Sequence, residues 1–522
     1  MRRSIDRLIA AVRAGGEPVL DLSGRRLRGL PEPVRELTGL TGLKLTGCRL
    51  AELPGWLEEL TALTELDLDD NRFTDFPGVV ALLPNLRVLR LWGNGLARLP
   101  GTVGLLTTLV RLDLAGNRLD ALPPAIGNLT RLVELRLSGN RLTELPDTIG
   151  DLAALTRLEV ASNRLGALPA TIGKLTRLTD LLLGGNELRA VPETLRHVTK
   201  LELDHNRLVR LPDSIGDVAG LRELRLSSNE LAELPSSVGR LAGLAVLELA
   251  QNRLTRLPES IGDLAALETL DVAHNRLTAL PATIGGLAGL TELRAQGNRL
   301  SALPPAIGHC TRLTRLALWG NELADLPETM GALTGLTELL VAANRLTTLG
   351  GWLGGLTNLT QLDLAGNQLA ELPAALRGLT GLTWLFLDHN RLTALPDWLG
   401  ELTALTAVRA SHNQLTALPA SIGNLVHLTQ LDLGANRLAD LPAPARRLTA
   451  LTGLSLCENR FARLPGWFGE LAALQTLDLR DNQLTELPGS FTGLTGLTFL
   501  DVSGNPLVTP PPNAPPPPPM MR

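Results

Sequence analysis

Residues 132–146 read Leu-Val-Glu-Leu-Arg-Leu-Ser-Gly-Asn-Arg-Leu-Thr-Glu-Leu-Pro, and this stretch decides the fold. The leucines at Leu135 and Leu137 alternate with polar residues, which predicts a short strand that points both leucines to one side. Asn140 follows the strand, where its side chain can donate and accept hydrogen bonds with backbone groups as the chain turns. A Leu-Pro step ends the turn, and the Ile-Gly-x-Leu segment at 149–152 predicts a short helical turn on the outer side.

The same pattern returns along almost the whole chain. There are eight copies up to Asn186, one at Asn206 and 13 from Asn229 to Asn505, which makes 22 copies over about residues 17–510. The first two copies carry Arg25 and Cys48 in place of the asparagine. No single copy can bury its leucines alone, so neighbouring copies must stack and share one core. Each well-buried leucine contributes roughly 1.5–3 kcal/mol to that core.

The repeating unit Leu-Pro-x-x-Ile-Gly-x-Leu-x-x-Leu-x-x-Leu-x-Leu-x-x-Asn resembles the 23-residue class of leucine-rich repeats. That class occurs in Ras-binding repeat scaffolds, plant intracellular Ras-group repeat proteins and the repeat domains of Roco-type GTPases. The resemblance implies an α/β leucine-rich-repeat solenoid (horseshoe) with a parallel β-sheet on the concave face and short helical turns on the convex face. It also implies a protein partner, with a small GTPase, kinase or phosphatase among the candidates. The shared residues are the buried ones, so they indicate the fold more strongly than the function.

The ends of the chain and one copy depart from the pattern. We expect an N-terminal capping helix within residues 1–16, with Ser4 as its N-cap, helix over about 5–14 and Gly15-Gly16 as its end. The copy at 187–206 is 20 residues long and lacks the Ile-Gly-x-Leu piece. It indicates either a local change of curvature or a hinge or docking point. The tail at 511–522 is rich in proline, which favours solvated polyproline II. It either blunts the last strand, stays disordered or binds an aromatic groove.

Charge and composition exclude several classes of function. The net charge is −4 without blocks of like charge, which argues against a nucleic-acid partner and against a membrane-surface patch. The chain contains no apolar stretch of the roughly 18 residues that a membrane span needs, and its first residues are a poor match to a signal peptide. Three widely spaced cysteines argue against a disulfide framework. We therefore expect a monomeric, cytoplasmic protein.

The motifs of common enzymes are missing from the sequence. Gly173-Lys174 is followed by Leu175, so the segment is not a phosphate loop, and HExxH, GxSxG and metal-spaced Cys/His clusters do not occur. We expect no catalysis, no cofactor and no metal.

A pair of histidines and a group of aspartates are two weaker indications of a metal site or a catalytic site. His389 and His412 occupy the same position in adjacent copies, which indicates either solvated rim residues or a two-histidine metal site. Asp67, Asp69 and Asp70 lie in one strand segment, where local charge for a basic partner is favoured over acid–base chemistry.

The outward strand residues are the ones that the fold leaves free for binding. The residue between the two inward leucines of each copy alternates in the sign of its charge through much of the chain, as in Asp113, Arg136 and Glu159. This alternation predicts ion pairs between neighbouring strands. In later copies this position becomes apolar. Exposed aromatic residues on a strand face often mark binding sites. We predict a partner-binding patch over about residues 315–412, with a lesser patch near residues 67–92. The alternative is chance aromatics on a drifting repeat array. The candidate residues are Trp319, Leu340, Trp384, Phe386 and Arg409 in the first patch, and Asp67, Asp69, Arg90 and Trp92 in the second.

Four other tryptophans, at positions 56, 352, 398 and 467, fall on the outer turns, where local packing is a sufficient explanation. Twenty-two strands spaced by about 4.8 Å give a surface about 100 Å long, which suits a macromolecule better than a small ligand. The sequence thus predicts a non-catalytic protein–protein interaction scaffold or adaptor, with intracellular signal transduction as the setting that the resemblance implies. The alternative is a bacterial effector or a regulatory subunit that docks on a host or separate enzyme.

Overall fold

The computed structural model describes residues 2–509, with side chains from Ile5 onward. The predictions for the proline-rich tail at 511–522 concern residues outside this range. The chain forms two compact units, with the boundary between Leu254 and Thr255. The short copy at 187–206 lies within the first unit and not at this boundary.

The first unit contains one α-helix and a sheet of short parallel strands. Each strand pairs in register with the strand that follows it in the chain, so that Leu43 lies opposite Leu66 and Leu135 opposite Leu158. The helix α1 spans Arg2–Arg13. The strands β1 to β11 are Val19–Asp21, Gly42–Lys44, Glu65–Asp67, Val88–Arg90, Arg111–Asp113, Glu134–Arg136, Arg157–Glu159, Asp180–Leu182, Lys200–Glu202, Glu223–Arg225 and Val246–Glu248.

The second unit repeats the arrangement, and its strands are again parallel and paired in chain order. Leu293 lies opposite Leu316, and Leu385 lies opposite Val408. The strands β12 to β22 are Thr269–Asp271, Glu292–Arg294, Arg315–Ala317, Glu338–Leu340, Gln361–Asp363, Trp384–Phe386, Ala407–Arg409, Gln430–Asp432, Gly453–Ser455, Thr476–Asp478 and Phe499–Asp501.

The predicted helical turns are 3-10 helices, which suit single turns because their geometry does not favour longer runs. Most begin after the proline of the Leu-Pro step, and the half-buried tryptophans at 56, 352 and 398 lie in them, with Trp467 at the start of another. In the first unit they are Glu32–Glu36, Gly55–Glu59, Gly78–Leu82, Gly101–Leu105, Pro124–Asn128, Asp147–Asp151, Ala170–Lys174, Asp213–Asp217 and Ser236–Arg240. In the second they are Glu259–Asp263, Ala282–Gly286, Pro305–His309, Glu328–Ala332, Gly351–Gly355, Ala374–Gly378, Asp397–Glu401, Ala420–Asn424, Ala443–Arg447, Phe468–Glu470 and Gly489–Gly493.

Helix α1 starts earlier than the sequence predicts. It begins at Arg2 rather than near residue 5, so Ser4 lies inside the helix and is not its N-cap. Arginine is a good helix former and a capping side chain is optional, so the helix extends past the serine. The predicted end is correct, because Gly15 has φ 87° and the Gly16 N–H donates to the Ala11 carbonyl over 3.1 Å.

Leucines fill the interior, and the repeated asparagine ties neighbouring copies together. Leu135 and Leu137 are completely buried. The Asn140 side-chain amide donates to the Leu114 and Leu137 carbonyls over 3.0 and 2.9 Å, and its oxygen accepts from the Leu119 N–H over 3.0 Å. Each asparagine therefore satisfies backbone groups of its own copy and of the copy before it. Where Cys48 replaces the asparagine, only its sulfur remains as a donor, to the Leu22 carbonyl over 3.1 Å.

A second hydrogen-bonded ladder runs along the start of the strands. The Thr337 hydroxyl donates to the Thr314 carbonyl over 2.9 Å, and Thr360 donates in the same way to Thr337 over 3.0 Å. The pattern continues through Thr383, Thr406, Thr429 and Thr452. These threonines bind the copies to one another without occupying the outward strand positions, which therefore remain available for contacts with other molecules.

The short copy lacks a 3-10 helix between β8 and β9. The register across it shifts from 23 to 20 residues, since Leu181 lies opposite Leu201. Leu195 and Val198 remain buried, and the Thr194 hydroxyl donates to the Ala170 carbonyl over 3.3 Å. The deletion is therefore absorbed without opening the core.

Candidate functional site

The strand β17 shows how the fold divides side chains between the core and the outward face of the sheet. Leu385 and Leu387 are completely buried, whereas Trp384 is 44% exposed and Phe386 is partly exposed. The indole and the phenyl ring stack with their centroids 6.1 Å apart and an angle of 25° between the planes. Neither ring is needed to fill the core, so both are available to a partner.

Arg409 on β18 completes this cluster. It lies opposite Phe386 in the sheet, and its guanidinium carbon is 5.2 Å from the centre of the phenyl ring. This distance is within the range of a cation–π interaction. Trp384, Phe386 and Arg409 therefore form one stacked group on the sheet surface, which we call the β17–β18 cluster.

The other candidate residues of the 315–412 patch do not join this cluster. Leu340 on β15 is separated from Phe386 by the intervening strand β16. Trp319, three copies before Trp384, is 39% exposed and makes an edge contact with His274, at 5.5 Å between ring centroids. The predicted patch thus consists of a strong cluster on β17 and β18 and a separate Trp319–His274 pair.

The lesser patch near residues 67–92 is tied into the fold by its own polar contacts. Arg90 pairs with Glu65 over 2.5 Å and approaches Asp67 to 3.7 Å. Asp69 accepts from the Trp92 N–H over 2.6 Å. Burial, together with the nearby carboxylate of Asp67, raises the pKa of Asp69 to about 6. Only Trp92, which is 49% exposed, stands out as an unused binding group here.

Ion pairs on the strand face of the first unit follow the alternating signs of the sequence. Arg136 approaches Asp113 to 3.6 Å, Glu134 to 2.6 Å and Glu159 to 3.6 Å. Arg111 pairs with Glu134 over 2.5 Å from the neighbouring strand. The charges of these strands therefore largely neutralise one another, which explains them without a partner.

The histidines and cysteines provide little basis for chemistry. The rings of His389 and His412 stack at 4.1 Å, and both residues are exposed. Among the residues that the structure describes, no group of three or more histidines, cysteines and acids is placed to hold a metal ion. Burial raises the pKa of the Cys310 thiol to about 11, so this sulfur is a poor nucleophile.

A hollow of about 220 Å³ lies beside the β17–β18 cluster, and the repeat pattern of the sequence does not predict it. It lies over β20, which carries only Gly453 and Ser455 on its outward face, and the Gln430 side chain of β19 lies close over Gly453. Asp432, Asp478 and Phe499 line its sides. The signal that could have revealed it is the pair of small residues at two successive outward positions. No helix within residues 2–509 combines the length and the apolar character that a membrane crossing requires.

Comparisons with known proteins agree with this architecture. A family model described as Leucine rich repeat matches residues 84–142, 107–165, 130–188, 196–254 and 449–507. A model described as Leucine-rich repeat region matches 244–347, and a third, Leucine Rich Repeat, matches 358–379. No curated protein matches the chain.

Solved structures resemble nearly the whole chain. The plant peptide hormone receptor RGFR1, in complex with RGF2, is 31% identical with a TM-score of 0.75, and the match covers 93% of this chain and 85% of the receptor chain. A leucine-rich-repeat protein of Leptospira interrogans is also 31% identical, with a TM-score of 0.56 and coverage of 80% and 90%. YopM from Yersinia enterocolitica is 24% identical, with a TM-score of 0.59 and coverage of 98% and 97%, and this likeness concerns the fold alone.

Proposed function

The chain belongs to the leucine-rich repeat family, and from this premise we propose that it is a non-catalytic scaffold that docks a protein partner on its strand face. Proteins of this family generally mediate protein–protein interaction, and the similar plant receptor was solved with RGF2 bound. The observation that carries the proposal is the β17–β18 cluster. Its aromatic side chains are exposed on a rigid sheet and have no role in the core.

The cluster has the properties of a binding hot spot. Trp, Tyr and Arg are enriched among the residues that contribute most to binding, and a rigid aromatic ring loses little conformational entropy on binding. The completely buried Leu385 and Leu387 anchor the strand that carries Trp384 and Phe386, and Arg409 is held by its stacking on the phenyl ring. We place the main contacts of the partner on these three residues, with Leu340 and Trp319 as further contacts for a long partner.

The resemblance to the 23-residue class extends the proposal. Ras-binding scaffolds and Roco-type proteins of that class act in intracellular signalling, so we propose a monomeric, cytoplasmic adaptor whose partner is a small GTPase, a kinase or a phosphatase. A capping helix at 1–16, a repeat domain at 17–510 and a proline-rich tail at 511–522 are the parts of this adaptor. An effector or regulatory subunit would use the same surface, and the identity of the partner distinguishes the two.

The test is affinity purification from the native organism, with partners identified by mass spectrometry and then measured by calorimetry as purified proteins. The test variant combines Trp384→Ala with Phe386→Ala. The matched control combines Leu105→Ala with Val426→Ala, which removes two exposed apolar side chains that do not lie on strands. We expect the test variant to lose at least one partner that the wild type and the control both bind. A test variant that retains every partner eliminates the β17–β18 cluster as the binding site.

A further inference from the structure

The charges on β16 to β20 are not balanced in the way that they are in the first unit. We count the ionised groups at the outward positions of these five strands and at the two residues that follow each strand. They are Asp363, Asp388, Asp432 and Arg409. Three carboxylates against one guanidinium give a net charge of −2. On β5 to β7, by contrast, three arginines face three acids and are ion-paired with them.

None of the three carboxylates has an ion-pair partner among the described residues. Asp363 accepts from the Ala365 N–H over 3.0 Å, and Asp432 accepts from the Gly434 N–H over 3.0 Å. Asp388 accepts from the Ser411 N–H and hydroxyl over 3.0 and 2.8 Å. Neutral donors hold these side chains in place, and no ion pair among the described residues compensates their negative charge.

Arg409, the one arginine at these positions, forms no ion pair with any of the three carboxylates. Arg409 is the sheet neighbour of Asp432, yet its guanidinium lies over the Phe386 ring instead of forming an ion pair. The arginines at the same strand position in other copies behave differently, since Arg136 and Arg294 each pair with carboxylates. The Arg409 guanidinium therefore stacks on the aromatic cluster and leaves the three carboxylates without an ion-pair partner.

The hollow beside the cluster has the size and the lining for one long basic side chain. At about 220 Å³ it is smaller than the roughly 300–1,000 Å³ of a drug-sized site. Asp432 and Ser455 line it, together with Arg409, whose guanidinium lies over the Phe386 ring, and Phe499 offers a ring to a cation. Asp478 already pairs with Arg480 over 2.7 Å, so Asp432 is the carboxylate left for an incoming charge.

We propose that the strand face of β16 to β20 binds an extended, basic protein segment. An apolar side chain of the segment lies on the Trp384–Phe386 pair, and a lysine or arginine enters the hollow beside Asp432. Strands β17 and β20 are three spacings of about 4.8 Å apart, or about 14 Å, which an extended chain spans in about four residues. The basic residue therefore follows or precedes the apolar one by about four positions. This inference rests on the proposed function and adds the chemistry of the partner.

The experiment is a selection on the full chain from a displayed library of linear peptides of about 12 residues, long enough to cross from β17 to β20. The selected peptides are then synthesised, and their affinity is measured by calorimetry at low and high salt. We expect an apolar residue about four positions from a lysine or arginine, and weaker binding as the salt concentration rises. An acidic or uncharged consensus overturns the inference, and so does a selection that enriches no peptide.

Two charge variants locate the contact. Asp432→Asn keeps an oxygen that can accept the Gly434 N–H and removes only the charge, and we expect it to weaken the peptide by about tenfold or more. Glu371→Gln neutralises an exposed acid away from the strand face and should leave the affinity unchanged. Equal affinity for the wild type and Asp432→Asn refutes the basic-segment inference. If, in that case, the peptide still fails to bind the variant with Trp384→Ala and Phe386→Ala, the β17–β18 cluster remains the proposed docking site.

Discussion

Asn413 allows the contribution of the asparagine ladder to be measured one copy at a time. Its amide donates to the Leu387 and Ala410 carbonyls over 2.9 and 3.2 Å, and its oxygen accepts from the Leu392 N–H over 3.0 Å. The side chain is 8% exposed, so water does not replace these bonds easily. In the variant Asn413→Ala the Leu392 N–H loses its only acceptor, whereas the Leu387 and Ala410 carbonyls each keep one donor, from Asn390 over 3.1 Å and from Asn436 over 2.8 Å.

The expected cost follows mainly from the orphaned Leu392 N–H. A buried polar group that is left without a hydrogen bond costs about 1–3 kcal/mol, so the variant should lose about that much unfolding free energy. Urea unfolding followed by circular dichroism measures the loss. Hydrogen exchange at the Leu392 amide should accelerate by more than in the rest of the second unit, because this N–H loses its acceptor.

Asn424 supplies the matched control for this experiment. It is exposed on the outer turn of the following copy, so Asn424→Ala should change the unfolding free energy by less than about 0.5 kcal/mol. If Asn413→Ala and Asn424→Ala shift the urea midpoint equally, the asparagine ladder does not stabilise the stack.

Three further outcomes follow from burial and charge. Leu385→Ala should cost about 2–5 kcal/mol because it leaves a cavity in the core, whereas Trp384→Ala should stay within about 0.5 kcal/mol; equal losses in urea unfolding would place both side chains inside. The pKa of Asp69 is raised in the folded state to about 6, above its usual 3.8, so the folded state binds more protons between these values and its stability falls as the pH rises through about 6. Urea unfolding at several pH values between 4 and 7 should show a smaller decline for Asp69→Asn than for the wild type, and parallel curves would contradict the burial of this acid. Native protein treated with a thiol reagent should be labelled at the half-exposed Cys457 but not at the buried Cys310, which peptide mapping can verify.

The sequence was sufficient to predict features that depend on the repeated spacing. The leucines at 135 and 137 predict the strand, its inward side and its parallel neighbours, because only a stack of copies can bury them. The role of the asparagine follows equally from its position, since an amide at a turn can both donate and accept. These features depend on residue type and spacing, and every copy repeats the same residue types at the same spacing.

Other features depend on which of several neighbouring groups a residue contacts, and the repeat spacing does not reveal this. The residue before the asparagine adopts positive φ even where it is not glycine, as in His389 with φ 53°, because the hydrogen bonds of the turn impose this conformation. Arg409 had a carboxylate and an aromatic ring within reach, and the sequence does not decide between them. The hollow at Gly453 and Ser455 likewise exists only through the size of the side chains on both neighbouring strands.

The tryptophans of the second unit are natural probes of whether a partner contacts the strand face or the outer turns. Radical footprinting of the complex with a partner obtained by affinity purification reports the accessibility of each indole. If the partner binds the strand face, we expect strong protection of Trp384 and unchanged oxidation of Trp398 and Trp467, which lie at 3-10 turns. Protection of Trp398 or Trp467 with Trp384 still reactive would contradict it.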